Sequence, residues 1–351
     1  MTPLHFDEAT LEEARTFNRK LARLPRFRVR NRVTPLLIQA LLRMAQLGAN
    51  RKLAAAGIAV ERHVVTADGL RVPLRILRPA GAIRGVVLDI HGGGWVIGNA
   101  RMDDALNAAM IAACHVAVVS VDYRLAVDTP LQGLLDDCLA ATRWVLEGGL
   151  PGCAHLPVII TGESAGAHLA AATLLRLRDE PALLRRVHGA LLYYGVYDLA
   201  GTPTVHAAGP ETLVLHGPGM AAGLRLLTPD LDDVARRTPP LSPLYGQLEG
   251  LPPALMFAGT LDPLRDDTVG MANRWRSVAE VEVHLVPEAP HGFIRFPTAM
   301  ARQVQARSHA WLRERLNRVP AIGGARRNAA GGFPGSDTGT ARIQDNNNFK
   351  S

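Results

Sequence analysis

The 351-residue sequence is poor in the features that mark several protein classes. Its thiols are Cys114, Cys138 and Cys153, an odd set with no Cys-x-x-Cys spacing. A disulfide framework is not indicated, and the composition suits a reducing compartment. His5, His63, His115, His155, His188, His206, His216 and His309 form no close set at metal-ligand spacing, and His-Glu-x-x-His does not occur. Neither a structural nor a catalytic metal is expected, and no cofactor. The opening "MTPLHFDEATLEEART" has no basic segment leading into an apolar core, so no secretory signal is read there. No unbroken apolar run is long enough to cross a bilayer. The expectation is a cytoplasmic protein without stable membrane insertion.

Acidic residues are the scarcer charge, 32 Asp and Glu against 39 Lys and Arg, for a formal net charge of +7. Such an excess raises nucleic acid as a partner. The basic residues are mostly scattered, however. The one dense cluster is Arg19, Lys20, Arg23, Arg26, Arg28, Arg30 and Arg32, with Phe27 its single aromatic. It reads as a solvated face, and no nucleic-acid partner is expected. Aromatic residues make up 5% of the chain, yet the hydrophobic fraction is 48%, ample for a sizeable core.

What is present is a rhythm. Residues 1–55 read as helices, with apolar residues at three- and four-residue intervals in "LEEARTFNRKLARL" and "TPLLIQALLRMAQL". An edge hairpin follows, "AVERHVVTAD" and "RVPLRILRP", joined at Gly69-Leu70. Strands and helices then alternate. "GVVLDI", "VAVVSVDY", "LPVIIT" and "VHGALLYYG" are near-continuous apolar runs, as strands of a buried parallel sheet should be. Residues 200–250 break the rhythm with short helical pieces separated by Gly and Pro, too long a stretch for a plain connection. The alternation resumes with "PALMFAG" and "VEVHLVP" and closes on a helix near "AMARQVQARSHAWLRERL". Residues 320–351, rich in Gly, Asn and charge, read as a disordered tail.

Three loops after these strands carry reactive side chains. In "VIITGESAGAH" a strand stops at Gly162-Glu163-Ser164-Ala165-Gly166 and a helix follows. A serine there is either part of a plain turn or a nucleophile held on a sharp strand-to-helix bend. The strand and helix on either side are the context the second reading requires. After "GVVLDI" comes His91-Gly92-Gly93-Gly94-Trp95, where small residues let backbone amides face a developing oxyanion. The loop lacks the Gly-Lys-Ser/Thr of a phosphate loop and the spacing of a dinucleotide fingerprint. Asp262 follows the strand ending at Gly259, and His291 follows the next one. Asp266 and Asp267 compete for the acid's part but fall inside a helix. His168, one turn past Ser164, reads as a packing or hydrogen-bonding residue. The order nucleophile, acid, histidine is that of α/β-hydrolases among the serine hydrolase architectures.

Taken in order, "HGGGW", "VDYRLA", "GESAG", "DPLRDD" and "HGF" resemble the hormone-sensitive-lipase family of α/β-hydrolases over residues 55–315. The resemblance implies a mostly parallel central sheet of about eight strands, helices on both faces, and a helical cap. The core would comprise residues 56–199 and 251–319, the cap residues 1–55 and 200–250. It implies a carboxylesterase acting on short-chain acyl esters. Ser164 would be nucleophile, His291 base and Asp262 the orienting acid. The N–H groups of Gly93, Gly94 and Ala165 would form the oxyanion hole, with His91, Gly92 and Glu163 in support. Glu163 departs from the Asp or Thr usual in the family, Ala167-His168 stand where Gly-Asn is common, and no proline follows Ala126. The fold also permits amidase, lactonase or peptidase chemistry, or binding of a small molecule without catalysis. The resemblance leaves a homodimer open.

Overall fold

In the computed structural model, residues 4–28 and 33–318 are described. The stretch read as a tail, 320–351, lies outside them. Eight strands build one sheet: β1 Ile58–Ala67, β2 Leu70–Pro79, β3 Gly85–Ile90, β4 Val116–Val121, β5 Val158–Glu163, β6 Val187–Tyr193, β7 Ala254–Gly259 and β8 Val281–Val286. Their order across the sheet is β1-β2-β4-β3-β5-β6-β7-β8. β1, β2 and β4 pair antiparallel, and every pairing from β4 through β3 to β8 is parallel. The hairpin turns one residue earlier than the sequence reading has it. Asp68 and Gly69 carry φ of 51° and 78°, and Ala67 pairs with Leu70. This is a two-residue turn whose positive φ angles match the twist of the flanking strands.

The apolar runs lack alternation because both faces of the sheet are covered. β3, β4, β5 and β7 are buried at every position. On one face Val86, Leu88, Ile90, Ile160 and Met256 pack with Leu134, Leu135, Leu169, Met271 and Trp275. These come from the helices Leu131–Leu146, Ala165–Arg176 and Arg265–Arg276. On the other face Val87, Val118, Ile159 and Phe257 meet Met110, Ile111, Trp311 and Leu312 of the helices Asp104–Cys114 and Ala299–Asn317. A Leu or Val wholly removed from water contributes about 1.5–3 kcal/mol, so this double-sided burial supplies much of what holds the sheet together.

The parallel strands deliver their following loops to one rim, where open α/β sheets bind ligands. Two chain segments meet above that rim. One is Arg26–Arg28. The other lies between β6 and β7, where the short helices Pro203–His206, Met220–Leu227 and Asp233–Arg236 occur. Phe27 N–H donates to Val214 O at 2.6 Å, and His216 N–H donates to Phe27 O at 3.0 Å. Arg26 Nε adds a bond to Thr212 O.

The N-terminal helices divide in their tasks. Glu8–Leu21 lies against the closing helix, burying Thr10 and Ala14. Asn18 donates to Glu288 O, and Arg15 pairs with Glu288. The helix Val33–Ala45 behaves differently from its apolar pattern. Leu36, Leu37, Leu41 and Met44 remain exposed, and the helix is anchored instead by Gln39. The Gln39 amide makes two 2.8 Å bonds to the backbone of Gly98, one in each direction. A reciprocal amide pair can help hold a helix that leaves Leu36, Leu37 and Leu41 in water. Among those residues no helix is long and apolar enough to cross a membrane.

Candidate active site

Ser164 stands between the end of β5 and the helix Ala165–Arg176, with φ 53° and ψ −120°. That backbone conformation costs a non-glycine residue on the order of 1–3 kcal/mol. It survives because the surroundings leave no alternative. Ser164 N–H is held by Tyr193 O at 2.9 Å. A β-carbon on Gly166 would come within 1.9 Å of Ile90 O and 2.6 Å of His91 O. The first helical turn therefore sits directly on the end of β3, and Ser164 projects beside the loop that follows that strand.

His291 Nε2 lies 2.9 Å from Ser164 Oγ, and its Nδ1 lies 2.9 Å from Asp262 Oδ2. Asp262 is anchored through its other oxygen by Leu264 N–H at 2.8 Å. A carboxylate accepts only, so His291 Nδ1 carries the proton and Nε2 is free to accept one from the serine. The three residues chosen from three separate loops thus form one hydrogen-bonded chain. The competing acids stand elsewhere. Asp266 pairs with Arg265. Asp267 is wholly buried and accepts from Tyr197 N–H, Asp198 N–H and Thr202 Oγ1. Burial raises its pKa to about 7.

The glycine loop presents its amides by a simple constraint. In a trans peptide the C=O and the next N–H point in opposite directions. Gly92 O accepts from His91 Nδ1 at 2.7 Å, and Gly93 O accepts from Val96 and Ile97 N–H. The N–H groups of Gly93 and Gly94 are therefore turned away from those partners. Gly93 has φ 110°, and a β-carbon there would come within 2.2 Å of Ile97 O. Ala165 opens its helix, so its N–H has no acceptor within that helix. His91 braces the loop. Its ring stacks on Tyr123 at 4.1 Å, and Tyr123 Oη donates to His91 O at 2.7 Å. Burial lowers the His91 pKa to about 4, so the ring is neutral at pH 7.

His168 joins three parts of the site. Trp95 Nε1 donates to its Nδ1 at 3.1 Å, and its Nε2 donates to Leu241 O at 2.7 Å. One neutral imidazole ties the glycine loop and the helix Ala165–Arg176 to Leu241, ahead of β7. Its pKa falls to about 4 through burial.

Sequence reasoning missed the charge cluster beneath the bend. Glu163 accepts from Tyr194 Oη and from Arg295 Nε, each at 2.7 Å. Arg295 also bridges to Asp103 and donates to Met102 O. Burial pushes the Glu163 carboxyl upward, but the Arg295 charge and hydrogen bonds hold it below its usual value. Burial raises the Asp103 pKa well above the ordinary range, against the pull of Arg295. The Tyr194 ring also meets the His291 ring edge-on at 4.8 Å. One signal was available. An acid at the end of a buried strand needs a cation, and Arg295 lies four residues past His291 between Ile294 and Phe296.

Ser164 opens into a cavity of about 400 Å3. Phe27, Trp95, Val196, Leu215, Leu224 and Leu227 line it with apolar surface, and Gly94 contributes to the wall. A cavity of about 810 Å3 lies elsewhere, and one of about 630 Å3 borders Asp262, Arg15 and Glu288; neither includes Ser164 or His291. Among the described residues no group of three His, Cys, Asp or Glu is placed to hold a metal ion.

Comparison with known proteins agrees with this architecture. Residues 87–295 match the family described as alpha/beta hydrolase fold. The carboxylesterase NlhH of Mycobacterium tuberculosis is 32% identical over 267 residues, covering 70% of this chain and 79% of the relative. The esterase LipW of Mycobacterium marinum superposes with a TM-score of 0.77 at 29% identity, covering 87% of this chain and 96% of that one. An esterase of the bacterial hormone-sensitive lipase family gives a TM-score of 0.68 over 89% of this chain and 100% of its own, at 24% identity, a likeness of fold. The chain belongs to the α/β-hydrolase family, among the carboxylic ester hydrolases.

Proposed function

We propose that the protein is a serine carboxylesterase that hydrolyses short-chain acyl esters through an acyl-enzyme. The observation that carries the reading is the unbroken chain from Ser164 Oγ through His291 to Asp262, at 2.9 Å per link, opening into a small apolar cavity. Ser164 Oγ attacks the ester carbonyl carbon while His291 Nε2 takes its proton. Asp262 holds the tautomer and stabilises the imidazolium. The carbonyl oxygen, now negative, is received by the N–H groups of Gly93, Gly94 and Ala165. As the tetrahedral intermediate collapses, His291 gives the proton to the departing alcohol. Water then attacks the acyl-serine with His291 again as base, releasing the acid and restoring Ser164.

Short chains are favoured by volume. About 400 Å3 is near the lower end of ligand cavities, which run from about 300 to 1,000 Å3. Each buried methylene adds about 0.8 kcal/mol of transfer, so rates should climb with chain length until the cavity fills. A panel of p-nitrophenyl esters from acetyl to palmitoyl, with Ser164→Ala as control, tests both claims. The expected optimum lies between acetyl and hexanoyl, with activity lost in the variant. An optimum at about twelve carbons or beyond would overturn the chain-length reading. A fluorophosphonate that labels the active protein at a residue other than Ser164 would overturn the nucleophile.

A further inference from the structure

The apolar cavity has one polar corner. Arg28 and His216 both line it, on the two segments joined by the Phe27 and Val214 backbone bonds. Both lie beside Gly219. A β-carbon on Gly219, were there one, would sit 2.8 Å from His216 Nδ1 and 3.3 Å from Arg28 Nε. His216 Nδ1 is buried and has no hydrogen-bond partner among the described residues. A buried polar atom left without a partner is destabilising unless something else satisfies it. Arg28 contrasts with its neighbour Arg26, whose guanidinium is taken up by the carbonyls of Thr212, Leu24 and Ala22. Arg28 makes no ion pair among the described residues.

Resting on the esterase reading above, we infer that this corner recognises a carboxylate at the far end of the substrate, so that the preferred esters are negatively charged. A guanidinium and an imidazole N–H side by side suit the two oxygens of one carboxylate. The wall between Ser164 and the corner is apolar, which suits the short methylene chain joining ester to carboxylate. Gly219, having no β-carbon, does not crowd the two nitrogens that such a carboxylate would meet.

The carboxylate can sit on either side of the ester bond, and two substrate pairs separate the cases. Monomethyl adipate against methyl hexanoate places the charge on the acyl side. 4-Acetoxybutanoate against pentyl acetate places it on the alcohol side. Acid release is followed at constant pH, and kcat/KM is compared within each pair. The wild-type enzyme should favour the charged ester in one pair. Arg28→Gln should lower that charged-to-neutral ratio at least tenfold, Arg28→Lys should retain part of it, and His216→Phe should lower it by less than Arg28→Gln. A general disturbance of the cap would slow both esters of a pair together and leave the ratio where it was. A wild type that favours the neutral ester in both pairs, or a ratio unmoved by Arg28→Gln, would overturn the inference. A folded wild type inactive on all of these and on p-nitrophenyl butyrate would instead overturn the esterase reading itself.

Discussion

Ser164, Asp262 and His291 rest on a sheet whose inner strands are wholly buried, whereas the helix Val33–Ala45 and the segment between β6 and β7 leave Leu36, Leu37, Leu41, Met44 and Leu226 exposed at 53–63%. The lower region is held by redundancy. His291 is bonded on both ring nitrogens, Asp262 on both oxygens, and Glu163 lies between Tyr194 and Arg295. The upper region has bonds of its own, among them the paired backbone bonds at Phe27 and the amide pairs Gln39 to Gly98 and Gln46 to Asn99, yet it leaves far more apolar surface in water. The contrast teaches how such a site divides its labour. Chemistry needs groups fixed within fractions of an ångström, while choice of substrate needs only a wall whose residues can change without unfolding the sheet.

The contrast can be broken most severely at the acid. Asp262→Asn would present an amide to His291 Nδ1 and favour the wrong tautomer. By analogy with serine proteases, kcat should fall by about four orders of magnitude, with the melting temperature little changed. A loss below tenfold on p-nitrophenyl butyrate would mean that another acid orients His291.

Next in size is the charge cluster. Arg295→Ala leaves Glu163 and Asp103 buried without their cation, and breaking such a pair costs about 3–5 kcal/mol. Urea denaturation should register that loss. A change under about 1 kcal/mol would show that the region under the bend does not depend on this arginine.

The cap should respond in the opposite manner. The Phe27 ring packs against Gly94, whose missing β-carbon would lie 3.1 Å from it. Phe27→Ala should enlarge the cavity and shift the optimum of the ester panel by at least two carbons. Its stability cost should fall below the about 3–5 kcal/mol of a fully buried Phe→Ala change. An unmoved optimum would remove Phe27 from the acyl wall.

The smallest effect concerns pH. Folded Asp267 keeps its proton up to about pH 7, whereas an unfolded aspartate loses it near 3.9. Between those values the folded state binds more protons, so this group's contribution to stability declines as pH rises. Asp267→Asn should abolish that part of the decline. Parallel melting curves of the two proteins from pH 4.5 to 7 check it, and an identical pH slope would refute the assignment.

Local pattern made much of the molecule legible. A strand, a turn bearing glycines and a helix are neighbours in the chain, so "VIITGESAGAH" carries the bend at Ser164 within itself, and the buried strands are visible because double-sided burial suppresses alternation. The order of Ser164, Asp262 and His291 along the chain likewise needs no coordinates. The apolar stripe of Val33–Ala45 marks a limit of such reading, because periodicity records which residues share a face and not what covers it.

Sequence alone therefore determined the parallel sheet and the three loops that bear Ser164, Asp262 and His291, since each depends on residues adjacent in the chain. Tertiary structure alone decided the distances that link Ser164, His291 and Asp262, that Arg295 and Tyr194 hold Glu163, and that Arg28 and His216 both lie beside Gly219. Those pairings join segments far apart in the chain, and packing of the sheet and cap sets their distances, which no local pattern encodes.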